Sequence, residues 1–168
     1  HASARRVFEQ LGQLLGVGEA PRLWRAIEAG EAAAARALPP ALRGQKVYFE
    51  VNRGPYAAGP TSFIGETLTR LGMANIVPAN LGPFPLINPE FVVQARPDFI
   101  LLGERGQQAL EERPGWRGLP ALQARRVCLF SPAQADVLVR PGPRMDEAAR
   151  LMVDCFIRVG TTPPAAKP

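Results

Sequence analysis

The stretch Val47 to Gly59, VYFEVNRGPYAAG, followed at once by PTSFIGETLTRLG, constrains the fold most. Its first six residues are β-branched, aromatic or otherwise suited to extended backbone, and the Gly/Pro-rich run after them cannot continue a strand. The pattern is strand, open loop, helix, and the chain repeats it downstream. In a parallel α/β sheet, loops leaving the carboxyl ends of strands gather on one edge, where ligands bind. Asn52, Arg53, Tyr56 and Thr61 are therefore expected on the functional edge.

Before this unit, apolar residues at helical spacing predict one helix over Ala2 to Leu15 and a second from Ala20-Pro21 to Leu38, closed by Pro39-Pro40. After it, Thr61 to Leu71 reads as a helix with Gly72 as its carboxyl cap, and Asn75 to Val77 as a short strand. Prolines forbid regular structure from Asn80 until Asn88, which suits an N-cap with Pro89 at the first helical position. That helix ends before Pro97. Phe99 to Leu102 and Val127 to Phe130 read as buried strands, Gln107 to Arg113 as a brief helix, Pro132 to Pro143 as a loop, and Arg144 to Val159 as the last helix. The alternation predicts an α/β fold, a three-layer sandwich with a mainly parallel Rossmann-like sheet.

At 168 residues, 46% apolar and 21% charged, the chain has the composition of one ordinary globular domain. Its net charge of +5 comes from 20 Lys and Arg against 15 Asp and Glu, but the cations are scattered. No run of them resembles a nucleic-acid arm, so no nucleic-acid partner is expected. No apolar run reaches the ~18 residues of a membrane span, and no leader pattern opens the chain, which reads as cytosolic or as having lost a leader. Cys128 and Cys155 lack metal-ligand spacing, so no metal site and no cofactor is expected.

Catalysis finds little support in the residues. The one histidine is His1, at the terminus, so an imidazole-activated serine or cysteine is excluded, and the chain reads as no enzyme. Gly54 and Gly59 have the spacing of a phosphate-binding loop with Thr61 in the final position. Pro60, however, stands where that motif needs its lysine. The acids Asp98, Glu104, Asp136, Asp146 and Glu147 read more simply as solvated or helix-start carboxylates. What remains is two aromatic residues in polar or proline-rich loops, Tyr56 and Phe84, and the pair Asp136-x-x-x-Arg140. Each has an ordinary reading as a tucked ring or a surface ion pair. Together on one edge they describe a cleft floor with aromatic faces, a fork-shaped donor and a carboxylate.

The blocks KVYFEVNRGPYAAG, FIGETLTRLGMANIVP, GPFPLINPEFVVQARPDFILLG and SPAQADVLVRPGPRMDEAARLM, in this order and spacing, resemble the C-terminal lobe of helical-backbone periplasmic binding proteins, the receptors of ABC importers for cobalamin, haem and iron chelates. The resemblance runs from about Ala2 to Val159. It implies two Rossmann-like lobes joined by a long helix with the ligand between them. Residues 1–42 would then hold the interlobe helix and the helix after it, 43–160 the C-terminal lobe and 161–168 a disordered tail. The partners implied are an N-terminal lobe that should precede these residues, a metal-chelate ligand (a corrinoid, or else an iron complex or haem) and an inner-membrane ABC permease. A periplasmic location follows. By the same resemblance Tyr56, Phe84, Asp136 and Arg140 bind the ligand, and Glu90 docks an arginine of the permease. A single-lobe protein-interaction domain is the alternative of another class. Cys128 and Cys155 are expected as two buried thiols, with a bridge as the alternative open to an oxidising compartment.

Overall fold

The computed structural model describes residues 2–16, 18–52, 55–103 and 110–161, with the backbone alone at 2–4 and 52. Strand β1 (Lys46–Asn52) is the centre of the sheet. Alternation splits it: Val47 and Phe49 face one helical layer, Tyr48 and Glu50 the other. Along one side β1 pairs in parallel with β4 (Phe99–Gly103), and β4 with β5 (Val127–Phe130). Along its other side two short strands share its length. β3 (Ala74–Asn75) runs parallel beside its start, and β2 (Tyr56–Ala57) runs antiparallel beside its end.

Because the chain passes from β1 to β3 on one side and then returns to β4 on the other, strand order reverses between β1 and β4. Such a reversal opens a crevice at the carboxyl edge. Helices α2 (Ala20–Ala37), α3 (Phe63–Arg70), α6 (Pro132–Val139) and α7 (Met145–Gly160) cover the face that presents Val47, Phe49, Phe99, Leu101 and Phe130. Helices α4 (Pro89–Ala95) and α5 (Pro120–Gln123) cover the face that presents Tyr48, Ile100 and Leu102. Helix α1 (Ala2–Leu14) packs on α2, where Phe8 meets Trp24 with ring centroids 6.1 Å apart. The α/β fold with a mostly parallel sheet between helical layers is the one expected.

Local chemistry explains the helix starts. Ser62 accepts from the Gly65 amide and donates to the Gly59 carbonyl, closing the turn into α3. Asn88 accepts from the Glu90 amide with Pro89 behind it, as expected for α4. Gly72 has φ +81°, the left-handed cap anticipated after α3.

Four sequence expectations are corrected. Pro132 to Pro143 is not a continuous loop: Ser131 and Gln134 form a reciprocal capping box that starts α6, and helix holds until Val139. The described part of the expected 107–113 helix is turn, followed by a short tight turn of helix at Trp116–Gly118. The third strand lies at Ala74–Asn75 instead of reaching Val77, because Asn75 folds back to accept from the Val77 amide. Cys128 and Cys155 are not thiols. They form a buried disulfide between β5 and α7 with Cα atoms 5.9 Å apart. The expected tail lies outside the described residues, as do Arg53, Glu104 and the side chain of Asn52.

Candidate functional site

The loop leaving β1 is bound to the proline-rich segment before α4 by a ladder of backbone hydrogen bonds. Ala57 N–H donates to the Pro85 carbonyl at 3.0 Å, Gly59 N–H to Pro83 at 2.8 Å and Ile87 N–H to Pro55 at 3.1 Å. Tyr56 bridges Leu86 in the same antiparallel sense. Prolines 83 and 85 lack amide protons, so this segment joins the ladder mostly by accepting, as an edge strand can. The result is a strap on which Tyr56, Phe84 and Leu86 stand 42%, 41% and 62% exposed. The three form an exposed apolar patch on a strap held by backbone hydrogen bonds. Glycine is required under it, since a Cβ on Gly59 would collide with the Gly82 carbonyl oxygen.

From Phe84 the apolar surface continues inward. Its ring meets that of Phe63 edge-on, centroids 6.3 Å apart. Phe63 in turn lines a cleft of about 530 Å³ together with Val7, Phe8 and Leu11 of α1, Trp24 of α2 and the Pro141–Pro143 turn. Thr61 and Glu66 are its polar lining. The turn 141–143 immediately follows Arg140, so the acid and arginine singled out in the sequence stand at the rim of this cleft. They lie on α6 and its carboxyl cap, where a spacing of four brings side chains together. Arg140 Nε reaches Asp136 Oδ1 at 2.6 Å, and Arg144, which sequence reasoning did not single out, approaches Oδ2 at 3.8 Å. Two exposed guanidinium groups thus share one carboxylate, leaving donors to spare. Such an exposed pair adds little stability.

Glu90 is exposed in the first turn of α4. Helices of a βαβ unit run against the strands, so this turn lies on the same carboxyl edge as the strap. Strap, cleft, Asp136, Arg140 and Glu90 therefore share one side of the molecule. No single pocket gathers all of them: Tyr56, Phe84, Asp136 and Arg140 are not among the residues that line the 530 Å³ cleft, which the strap approaches through Phe63 and the α6 pair through Pro141.

One constellation close to this edge was missed in the sequence. Glu50, on the penultimate turn of the pleat in β1, is buried and accepts from both terminal nitrogens of Arg113 at 2.6 and 2.9 Å. Tyr48 donates to the same carboxylate at 3.2 Å, and the Arg113 guanidinium lies 4.4 Å from the centre of the Trp116 ring. Burial pushes the Tyr48 hydroxyl far above its usual range, so it stays protonated as a donor. The hydrogen bonds that Arg113 donates to Glu50 raise its own pKa further, so the guanidinium stays charged. It ties the segment after β4 to β1 across the strand-order reversal. A lone acid inside an otherwise apolar strand was the available signal, but its partner lies 63 residues away.

The model of the family described as periplasmic binding protein matches residues 2–133. The chain belongs to the periplasmic binding protein family. Solved structures with the same fold include a possible iron-binding (periplasmic solute-binding) protein from Staphylococcus epidermidis ATCC 12228, at TM-score 0.78 and 22% identity, covering 91% of this chain and 61% of that one. The periplasmic heme-binding protein RhuT from Roseiflexus sp. RS-1, in apo form, matches at TM-score 0.74 and 23% identity over 94% of this chain and 63% of its own. The periplasmic vitamin B12 binding protein BtuF of Vibrio cholerae matches at TM-score 0.66 and 19% identity, over 87% and 55%. This periplasmic binding protein chain thus spans about three fifths of the length of such structures. No curated protein sequence matches it significantly.

Proposed function

We propose that the chain is the C-terminal lobe of the substrate-binding component of an ABC importer for a metal chelate, with a corrinoid as the preferred ligand and haem or an iron-siderophore complex as the alternative. It binds and delivers, in keeping with its family, and performs no catalysis. The observation that carries this reading is the strap: Tyr56 and Phe84 are held open to solvent on the carboxyl edge, beside a rim where Arg140 and Arg144 share Asp136. A broad, flat chelate would rest its apolar face on the rings and its polar periphery on the guanidinium groups. Glu90, on the same edge, would meet an arginine of the permease. A location outside the cytoplasmic membrane agrees with the family and with the buried disulfide, which belongs to oxidising compartments.

Titrating cyanocobalamin, haemin and a ferric hydroxamate while following tryptophan fluorescence tests this, since Trp24 lines the cleft. Saturable quenching by cyanocobalamin is expected. Phe84→Ala should weaken it by about fivefold, the equivalent of one aromatic contact of ~1 kcal/mol, and Arg140→Ala by a similar or larger factor, while Glu90→Ala leaves it unchanged and slows delivery to the permease. Loss of binding in Glu90→Ala but not in Arg140→Ala would reverse the two roles. Saturation by none of the three chelates would favour a protein-interaction domain.

A further inference from the structure

The buried ion pair of Glu50 and Arg113 closes a ring of contacts that passes through two parts of the candidate site. On one side Glu50 is paired across β1 and β2 with Ala57, the neighbour of Tyr56. From there the ladder of the strap runs to Ile87, whose amide donates to the Pro55 carbonyl. One residue on, Asn88 caps α4, and Glu90 follows in its first turn. The ring returns through Trp116: its indole Nε1 donates to the Pro89 carbonyl at 3.3 Å, and the Arg113 guanidinium lies over its face at 4.4 Å. Arg113 and Trp116 belong to one turn, since the Trp116 amide donates to the Arg113 carbonyl at 3.1 Å. Between them Gly115 fits so closely against α4 that a Cβ there would come within 3.2 Å of Val93 Cγ2.

Stability does not demand an ion pair at this joint. Apolar residues of similar bulk in place of a buried pair are often as stable or more so, because two charges no longer have to leave water. The side chain of Glu50 is 2% exposed and that of Arg113 17%, so most of that desolvation occurs here. What apolar residues would not supply is direction. A guanidinium that gives both terminal nitrogens to one carboxylate is fixed in plane and in distance, and it can stack on an indole at the same time. Tyr48 holds both ends of the joint from the central strand: its hydroxyl donates to Glu50, and its ring meets that of Trp116 edge-on at 5.9 Å.

We infer that Arg113 is a positioning residue for the ligand edge. Clamped between Glu50 and Trp116, it holds the strap that carries Tyr56 and Phe84 and the helix turn that carries Glu90 as one body. The ring has no loose link: the strap is laced by backbone bonds, Ile87 to Pro89 are consecutive, and Trp116 is wholly buried. Displacing the strap therefore displaces the first turn of α4 or breaks the ion pair. The use of this coupling rests on the roles proposed for the strap and Glu90, under which a chelate pressing on the rings would be reported at the surface that meets the permease.

Amide hydrogen exchange of the ligand-free chain is the test, so its outcome does not depend on which chelate binds. The double variant Glu50→Gln, Arg113→Met leaves no charge buried alone and should keep a thermal midpoint near the native one. Its amides at Ile87, Glu90 and Phe91 should nevertheless exchange about tenfold faster, with those of β4 unchanged, because strap and helix turn can then open separately. Arg113→Lys retains the charge but not the fork, and its exchange should fall between the two. Val153→Ala, a truncation in the other helical layer, should lower the thermal midpoint without affecting these three amides. Native rates at the three amides in both Arg113 variants would overturn the inference. So would equal acceleration in Val153→Ala, which would make the effect one of general stability. Native rates would remove the brace and leave the ligand reading standing, whereas failure of every chelate to bind would remove the ligand reading and leave the brace decided by these rates.

Discussion

Glu50 is the one charged residue in the interior of β1, and its environment decides what it does. Taking a carboxylate out of water is tolerable only when donors replace the water, and here Arg113 supplies two and Tyr48 one. Truncating one partner leaves the other charge buried and alone. Arg113→Met should therefore cost about 3 to 5 kcal/mol of unfolding free energy, whereas Glu50→Gln combined with Arg113→Met should recover much of it. Urea unfolding of the two single variants and the double gives the coupling, and additive losses would show that the pair is not coupled. Glu31 behaves in the opposite way. Burial raises its pKa, against the pull of Arg70 at 3.4 Å, so the native state holds this proton more tightly than the unfolded chain. Its contribution to stability is complete below the unfolded value of about 4.3 and is lost as pH rises through the native value. Compared with Glu31→Gln, which does not titrate, the native chain should lose ground as pH climbs above the unfolded value and through the raised native one. A native chain that gained on the variant over that interval would contradict the burial argument.

Among the elements, the strap from Tyr56 to Gly59 and its partner from Pro83 to Ile87 carry the candidate site, and glycine holds them together. A methyl group on Gly59 would meet the Gly82 carbonyl, and on Gly65 it would meet the carbonyl of Gly59; both obstacles are backbone and cannot swing aside. Gly59→Ala should force the strap apart at a cost of roughly 1 to 3 kcal/mol and weaken chelate binding more than Phe84→Ala does, because it displaces both aromatic residues. Unchanged affinity would detach the strap from the site. The same elements show what the sequence could disclose. Tyr56 and Phe84 stood out as rings in loops where no core was close, and Asp136 and Arg140 by their spacing. Their grouping on one edge follows from the strand-to-helix order alone. The helix under Asp136 and Arg140 did not show, because Pro132 and Pro141 bracket a run with no amphipathic period. Its signal was Ser131 followed three residues on by Gln134, a capping box that reads clearly only once the proline between them is placed at the first helical position. β2 was hidden for another reason. It pairs with the end of β1 across a Gly/Pro-rich turn whose register no local pattern specifies.

At the scale of the whole molecule, the order of strands was legible because each unit buries its apolar face in sequence, whereas links between distant units were not. The Glu50–Arg113 pair and the Cys128–Cys155 bridge both depend on which face of one element meets which face of another. Two cysteines 27 residues apart, one on a strand and one on a helix, are compatible with a bridge or with thiols until the helix is set on the sheet. In the structure α7 crosses the face of β5 with both cysteines buried and their Cα atoms 5.9 Å apart, within the range a disulfide requires. The bridge ties the last helix to the last strand, closing a loop that contains all of α6, and with it Asp136 and Arg140. Cross-linking a loop of that length removes unfolded-chain entropy worth roughly 3 to 4 kcal/mol. Reduction should thus lower the urea midpoint clearly without changing the secondary-structure signal of the folded state, and it should loosen α6 before the strap, since the strap is held by backbone bonds on the far side of β1. Hydrogen exchange with and without dithiothreitol measures this: faster exchange is expected in 131–144, and little change at Ala57 and Gly59. Titration of the denatured, unreduced chain should find no free thiol at these two positions, and finding two would return Cys128 and Cys155 to the thiol state and remove the entropic clasp from the fold.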